Sequence, residues 1–287
     1  MPFISEIRTP AVAGSFYPQD AQALSREVDE LLRASAPAGD LPPARMLLSP
    51  HAGYVYSGAI AGRGFARAAA SSAPPSRAFI ISPSHFEVFG YSSVYGGGAY
   101  RTPLGDIGVD TDGARALTLV DPSVRISAAG HDIASGQRGE HGIEVQLPFL
   151  QRAFPGMVIV PVVMGSQSWE ACKALGRAIA RVIEWPRDIV IASSDLSHFY
   201  EDQRARELDL AFCAALQTLG ARALHDGVAR RECEACGVAP VTAALIATEA
   251  LGNRIAEILA TGNSGDINHD RASVVGYASA VVTGDVK

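Results

Sequence analysis

The stretch IVIASSDLSH, residues 189–198, decides how this chain folds and where its chemistry lies. An apolar run rich in β-branched residues ends in a turn that contains serine, and a histidine lies at the end of that turn. Two further stretches repeat this design, MLLSPH at residues 46–51 and FIISPSH at residues 79–85. Short apolar runs bounded by turn formers indicate buried strands. The chain therefore presents three predicted strands, each followed directly by a histidine.

Predicted helices alternate with predicted strands along the chain. The helices are expected at residues 21–34, 57–70, 113–119, 144–154, 168–183, 202–219 and 238–251, and the strands at 45–48, 78–81, 157–164, 188–192 and 272–282. Ser57 is the expected N-cap of the second helix. This alternation predicts a layered α/β fold with a largely parallel or mixed central sheet flanked by helices. Residues 1–287 are expected to form a single domain, because no low-complexity linker and no fixed-period repeat divides them.

The composition excludes several classes of function. Hydrophobic residues make up 48% of the chain and charged residues 19%, which is enough apolar material for a substantial core. The net charge of −6 and the lack of a basic block argue against nucleic acid or an anionic membrane as partner. The opening MPFISEIRTP lacks the features of a signal peptide, and no apolar stretch reaches about 18 residues. We therefore expect a soluble, cytoplasmic protein.

Four cysteines are too few for a disulfide scaffold in a chain of this length. Cys172 and Cys213 fall in helical patterns and are expected to be small buried hydrophobes. Cys233 and Cys236 form one C-x-x-C, without the second pair that a structural zinc site would usually show. Cys236 is the better candidate for a thiolate ligand, since Gly237 can bring the backbone close to a site.

Histidines at the ends of neighbouring strands can meet in one cleft. Ligands of open α/β sheets bind outside the carboxyl ends of the strands. We therefore expect His51, His85 and His198 to converge, which suits a metal site or histidine acid–base chemistry. The alternatives are that His51 is a loop histidine packed on its own sheet, and that His198 is a surface histidine that follows an Asp N-cap. Asp195, three residues before His198, could accept a hydrogen bond from that imidazole and fix its tautomer.

Other histidines give weaker signals. If their segment is helical, His141 and Glu144 share a face, where they could bind metal or move protons, or could form a charge pair at the positive end of the helix. His131, His225 and His269 have no such context and are expected to be solvated or loop residues. Two imidazoles with one thiolate would suit Fe(II), Cu(I) or Zn(II) and would disfavour Mg(II) or Ca(II).

The ordered motifs of this chain resemble those of the Memo family, called AmmeMemoRadiSam system protein B in prokaryotes. The matching segments extend over nearly the whole chain. They are Arg8, AGSFYP at 13–18, SPHAGYVYSG at 49–58, SPSH at 82–85, YRTPLG at 100–105, EHGIEVQLPF at 140–149, SSDLSH at 193–198 and CG at 236–237.

The resemblance implies a fold similar to that of class III extradiol non-haem iron dioxygenases. The family's metal ligands fall on His51, His85 and Cys236. A further pocket histidine falls on His198, with Asp195 beside it and Tyr56 lining the pocket. His141 and Glu144 match a family signature and are carried as further pocket candidates.

The same resemblance implies an iron-dependent, dioxygenase-like oxidoreductase acting on a small molecule. Fe(II) is the expected metal, Cu(I) the alternative and Zn(II) the third. The alternative functions are a copper or iron carrier without turnover, and an adaptor that binds a protein or peptide in the same cleft. AMMECR-type and radical-SAM proteins are the implied partners. Val238-Ala239-Pro240 replaces the more basic stretch of the animal members, which argues against phosphopeptide binding here.

Overall fold

The fold was analysed in a computed structural model that describes residues 6–35, 37, 41–131 and 139–286. The strands are β1 Ile7–Arg8, β2 Ala44–Ser49, β3 Arg77–Pro83, β4 Ser92–Val94, β5 Ala99–Thr102, β6 Gly105–Gly108, β7 Val124–Ile126, β8 Val158–Met164, β9 Asp188–Ser193, β10 His198–Tyr200, β11 Gly252–Asn263 and β12 Val274–Asp285. The helices are α1 Ala21–Arg33, α2 Tyr54–Ala69, α3 Thr111–Thr118, α4 Leu147–Ala153, α5 Trp169–Val182, α6 Asp202–Gln217, α7 Ala221–Ala229, α8 Val238–Ala247 and α9 Gly265–Asn268, with a 3₁₀ turn at Glu144–Gln146.

A mixed sheet forms the centre of the molecule. Within the described residues its strand order is β10-β12-β2-β9-β3-β8-β4-β7, with β11 paired to β12. The four central strands, β2, β9, β3 and β8, are parallel, while β12 and β4 flank them in antiparallel orientation. The predicted α/β architecture with a mixed central sheet is confirmed.

Both faces of the sheet are buried, which explains the uninterrupted apolar runs of its central strands. Successive side chains point to opposite faces. Leu47 and Ile80 join one apolar core with residues of α1, α2 and α4, whereas Leu48 and Ile81 join the other with residues of α5, α6 and α8. Helices thus cover the sheet on both sides.

The strand order brings the histidine-bearing turns together. In the sheet, β9 lies between β2 and β3 and is parallel to both. The chain therefore leaves all three strands at the same edge, where it reaches His51, His85 and the turn at residues 194–198. This edge carries the candidate site.

Some boundaries differ from the sequence prediction. Helix α2 begins at Tyr54 with Gly53 as its N-cap, so the prediction for Ser57 was wrong. Ser57 lies inside the first turn, where its hydroxyl donates to the Ala52 carbonyl at 3.0 Å. Helix α8 ends at Ala247, and the following β11 was not predicted. In the parts of the chain that the structure describes, no helix is long and apolar enough to cross a membrane.

Candidate metal centre

Three potential ligand atoms meet at the edge formed by β2, β9 and β3. The ligand atoms of His51, His85 and Cys236 all lie within 4.8 Å of one another. His51 Nε2 is 3.3 Å from Cys236 Sγ. The His51 side chain is buried, whereas the His85 side chain keeps 25% of its surface exposed, so the cluster opens to solvent on the His85 side.

A serine fixes the proton position on His51. The Ser193 hydroxyl donates its single hydrogen to the Gly142 carbonyl at 2.6 Å and accepts from Gln146 Nε2 at 2.9 Å. Its contact with His51 Nδ1 at 2.9 Å must therefore be donated by the imidazole. This leaves the lone pair on Nε2, the nitrogen that faces Cys236. Burial also lowers the His51 pKa to about 3, which keeps the ring neutral.

A carboxylate orients His85 in a comparable way. Glu140 accepts the backbone N–H of His85 at 2.7 Å and its Nδ1–H at 2.9 Å. The amides of His141 and Gly142 donate to the same carboxylate at 2.8 and 3.0 Å. Burial opposes ionisation, but these donors and the His85 ring prevail and lower the Glu140 pKa to about 2. With Nδ1–H bound to Glu140, Nε2 is the free nitrogen of His85.

The thiol of Cys236 is brought to the cluster by a close approach of two backbones. A Cβ atom on Gly237 would lie 2.6 Å from the Ser193 carbonyl oxygen, so only glycine fits without a shift. The Gly237 amide donates to the Ser194 hydroxyl at 2.8 Å, and the Cys236 amide donates to the Asp195 carbonyl at 3.2 Å. Burial, with the nearby Asp195 charge, raises the Cys236 pKa well above its ordinary value. A bound cation reverses this effect, because a coordinating thiol is deprotonated.

His141 also reaches the cluster. Its ring stacks on His85 with centroids 4.8 Å apart and meets His51 edge-on at 5.4 Å. Burial, followed by the electrostatic effect of the neighbouring His51, lowers the His141 pKa to about 4. His85, Glu140 and His141 also lie close enough to form a second ligand group. Because the Glu140 carboxylate already accepts four N–H groups, we interpret His85, Glu140 and His141 as a hydrogen-bonded support for the cluster of His51, His85 and Cys236.

Asp195 and His198 lie beside the cluster, but the expected hydrogen bond between them does not form. Asp195 Oδ1 accepts from the His51 amide at 2.7 Å, and its Oδ2 is 4.0 Å from His51 Nε2. His198 Nδ1 instead donates to the Leu196 carbonyl at 2.8 Å, and this contact fixes its tautomer. Burial raises the Asp195 pKa, while the hydrogen bond from the His51 amide and the neighbouring histidines oppose the rise.

Tyr56 borders the same region. It lies in the first turn of α2, five residues after His51, and 36% of its surface is exposed. Buried Tyr277 interacts electrostatically with both Asp195 and Tyr56, and together with burial these groups raise its pKa. Tyr277 thus lies near both Asp195 and Tyr56.

Glu144 serves another purpose. Its buried carboxylate pairs with Arg8, accepts from the amides of Ala11 and Val12 at 2.7 and 3.0 Å, and accepts from the Tyr17 hydroxyl at 2.6 Å. These contacts hold the N-terminal segment against the 3₁₀ turn. The structure thus brings His141 into the cluster and leaves Glu144 outside it, and the expected shared helix face does not form because His141 precedes the helix.

The remaining histidines lie apart from the cluster. His131 was expected to be a solvated or loop residue; it lies in a turn but is fully buried. Its Nε2 is 2.9 Å from the Ser93 carbonyl and its Nδ1 is 2.5 Å from the Tyr100 hydroxyl, so both ring nitrogens have partners. His225 bonds to the Gln167 carbonyl, and His269 is exposed at the end of α9.

Sequence reasoning did not select Glu140, Ser193 or Gln146 as site residues. All three lie in segments that the sequence assigns to the site, but the sequence does not show which groups they contact. Glu140 directly precedes His141, and Ser193 ends the strand before Asp195. The recurring serine at the end of each strand was the available signal for Ser193.

The arrangement meets the chemical requirements of a transition-metal site. It offers two imidazoles whose Nδ1 atoms are bound to Ser193 and Glu140, so that Nε2 of each ring is available to a cation, and one sulfur. Each is oriented by hydrogen bonds or tight packing. Three protein ligands leave positions for water or a substrate, as in catalytic metal sites. The donor set and its support therefore fit a soft or borderline cation.

Comparisons with known proteins give a consistent result. The model of a family described as Memo-like protein matches residues 8–281. A MEMO1 family protein of Methanobrevibacter smithii is 38% identical over 96% of this chain and 99% of its own length. A MEMO1 family protein of Aquifex aeolicus is 32% identical over 96% and 98%. An uncharacterized Escherichia coli K12 protein of known structure has a similar fold, with a TM-score of 0.56 and 16% identity over 84% of this chain and all of that one.

Proposed function

The chain belongs to the family of Memo-like proteins, and on that premise we propose that it holds a metal ion on His51, His85 and Cys236 and acts as a dioxygenase-like oxidoreductase. Fe(II) is the proposed metal, and Cu(I) is the alternative that the sulfur ligand favours. The substrate is a small molecule that enters from the exposed His85 side.

One observation carries this proposal. The proton positions on both histidines are set by groups outside the ligand set, Ser193 for His51 and Glu140 for His85. In each case the partner binds Nδ1, which leaves Nε2 as the ring nitrogen available to a metal ion. Histidines that merely pack against one another do not need this matched orientation, whereas metal-binding histidines almost always have such a partner.

The residues beside the ligands have separable roles. His198 donates Nδ1–H to the Leu196 carbonyl, so its Nε2 retains a lone pair that can accept a proton from a substrate. Asp195 positions the backbone of His51 and presents Oδ2 near the ligand atoms. Tyr56, at the margin, contacts and orients the substrate. When bound, the metal would supply redox chemistry and open coordination positions.

Anaerobic metal titration tests the binding step. Wild-type protein is expected to retain stoichiometric Fe(II) or Cu(I) after desalting, whereas His51→Ala and Cys236→Ser should retain neither. His269→Ala is the control, since this exposed histidine lies away from the cluster. Tyr56→Phe and His198→Ala should keep the metal. Metal loss in these last two variants, or retention in the first two, would contradict the assigned roles.

Oxygen consumption separates an enzyme from a carrier. Iron-loaded wild type is expected to consume O₂ with an enolisable or catecholic compound, and His198→Ala should slow this reaction while retaining iron. Protein that holds metal but consumes no O₂ across a broad panel would favour the carrier. Protein that holds no metal would leave only the adaptor function.

A further inference from the structure

Exposed apolar side chains are concentrated in the segments that carry the site histidines. Among the described residues, eleven large hydrophobic side chains are exposed, and five of them follow a site histidine by one to five positions. These five, called the apolar rim below, are Val55, Tyr56, Phe86, Val88 and Phe199. Scattered exposed hydrophobics are ordinary on a protein surface, but a group on the segments that form one site indicates a binding site.

Phe86 connects the apolar rim directly to the site. Its ring lies 6.3 Å from His85 and 6.1 Å from His141, measured between centroids, while 44% of its surface stays exposed. A serine closes the turn that carries it, since the Ser84 hydroxyl bonds to the Glu87 carbonyl at 2.7 Å. Phe16 meets the His141 ring edge-on at 4.9 Å. The His141 ring is therefore in contact with two phenylalanines.

Phe199 is directed into solvent by its backbone. It lies in β10 at a register irregularity opposite β12, between the paired residues His198 and Tyr200. Its φ of 66° belongs to the left-handed region, which is costly for a bulky residue. The side chain is 77% exposed, with its ring 5.7 Å from His198. Bulges beside active sites often re-aim a side chain, and strain of this kind is concentrated where ligands bind.

In the part of the chain that the structure describes, the contacts of the cluster include no basic side chain other than its own histidines. The side-chain partners of His51, His85 and His141 are Glu140, Asp195, Ser193, Cys236, two phenylalanines and one another. Within the described residues, none of these contacts involves a lysine or an arginine, and two carboxylates lie among them. Carboxylates and phosphates are recognised by Arg or Lys, usually through paired hydrogen bonds. The surroundings therefore disfavour an anionic ligand.

We propose that the apolar rim binds an uncharged, largely apolar small molecule, held by Phe86 and Phe199 with its polar end toward His141. This assignment rests on the proposed function, because it takes the metal centre to be the inner end of the cleft. A small molecule is favoured over a macromolecule because the exposed rings contact the site's own imidazoles, which makes the apolar surface continuous with the cleft.

Two matched fluorophores test the assignment. The probe is uncharged N-phenyl-naphthylamine, and its sulfonated counterpart, anilino-naphthalenesulfonate, adds one negative charge to a similar ring system. Wild type should bind the uncharged probe at least about tenfold more tightly than the charged one. Phe86→Ala and Phe199→Gly should each weaken binding of the uncharged probe by about fivefold or more. Leu119→Ala, at an 87% exposed position at the end of α3, should leave it unchanged.

The Phe199→Gly variant separates binding from folding. Glycine adopts a positive φ without strain, so this variant should melt at the same or a higher temperature while it binds the probe less well. Equal affinity in wild type and both phenylalanine variants, an equal loss in Leu119→Ala, or tighter binding of the sulfonated probe would overturn the assignment. Wild type that binds neither probe would also overturn it and would leave the apolar rim to a macromolecule.

Metal loading distinguishes this inference from the proposed function. The titrations are repeated on metal-free protein and on Co(II)-loaded protein, whose visible spectrum should shift when the uncharged probe enters. A wild type that retains no metal but still binds the probe through Phe86 and Phe199 would refute the metal centre and support the apolar site. If the visible spectrum of the Co(II)-loaded protein does not change when the probe binds, the placement of the ligand in this cleft is refuted.

Discussion

Replacing Glu140 by glutamine isolates the orienting role of one carboxylate. In the wild type, Glu140 Oε1 accepts from three N–H groups, His85 Nδ1 and the amides of His141 and Gly142, while Oε2 accepts from the His85 amide. An amide side chain can keep its oxygen toward the first three donors, but its NH₂ group then faces the His85 amide, donor against donor. The substitution therefore removes one charge and one hydrogen bond without changing the volume of the side chain.

The expected effect on metal affinity follows from the geometry. Loss of the group that orients a metal-binding histidine costs about 10- to 100-fold in affinity, which corresponds to about 1.4 to 2.7 kcal/mol. Stability should fall as well. The Glu140 pKa drops from 4.5 to about 2 in the folded protein, which contributes on the order of 3 kcal/mol above pH 4.5. This contribution is lost as the pH falls from 4.5 toward 2.

Competition with a chelator of known affinity measures the change in metal affinity, and denaturant unfolding of the metal-free protein measures the change in stability. Glu87→Gln is the control, because it removes the same charge two residues from His85. Glu140→Gln should weaken metal binding by the stated factor, and Glu87→Gln should leave it unchanged. Affinity within about twofold of wild type for Glu140→Gln would refute the orienting role, whatever the effect on stability.

Two further predictions concern the thiol loop and the buried histidines. Gly237→Ala should destabilise the protein by about 1–3 kcal/mol and weaken metal binding, because its methyl group would lie 2.6 Å from the Ser193 carbonyl. Gly90→Ala, with no atom within 4 Å of the new Cβ, should change neither quantity in melting and chelator assays. His131→Gln should reduce the dependence of unfolding free energy on pH by about 1.4 kcal/mol per pH unit near pH 5. The folded pKa of His131 is lowered to about 4, so wild type loses stability as the pH falls from 6.5 toward 4, and an unchanged slope would contradict this.

The fold was predictable where local sequence and tertiary structure agree. The central strands are apolar on both faces, because helices cover both sides of the sheet, and that pattern is visible in the sequence. Strand β11 is the counterexample. Its Ile255 is 64% exposed, whereas Ile258 packs against the core, so the strand has no cleanly alternating apolar face. Its conformation depends on long-range pairing with β12, which the local sequence does not reveal.

The convergence of the site was predictable, but its hydrogen bonds were not. The recurring pattern indicates a histidine after the carboxyl end of each strand. The observed order β2-β9-β3, which was not predicted, brings His51 and His85 together. The groups that orient these histidines are distant in sequence, with 142 positions between His51 and Ser193 and 55 between His85 and Glu140. Sequence proximity instead suggested that Asp195 orients His198. Its carboxylate accepts from the His51 amide, since β9 is adjacent to β2 in the sheet.

At the proposed metal centre, we expect the charges of the cluster to favour a divalent ion over Cu(I). A thiolate on Cys236 and the ionised Glu140 supply two negative charges, whereas Ser193, which orients the more buried His51, is neutral. A divalent cation would balance these charges, but Cu(I) would leave one negative charge in a largely buried site, which is costly. A balanced centre also suits the uncharged ligand inferred from the apolar rim, so the preferred metal and the preferred ligand follow from the same distribution of charge.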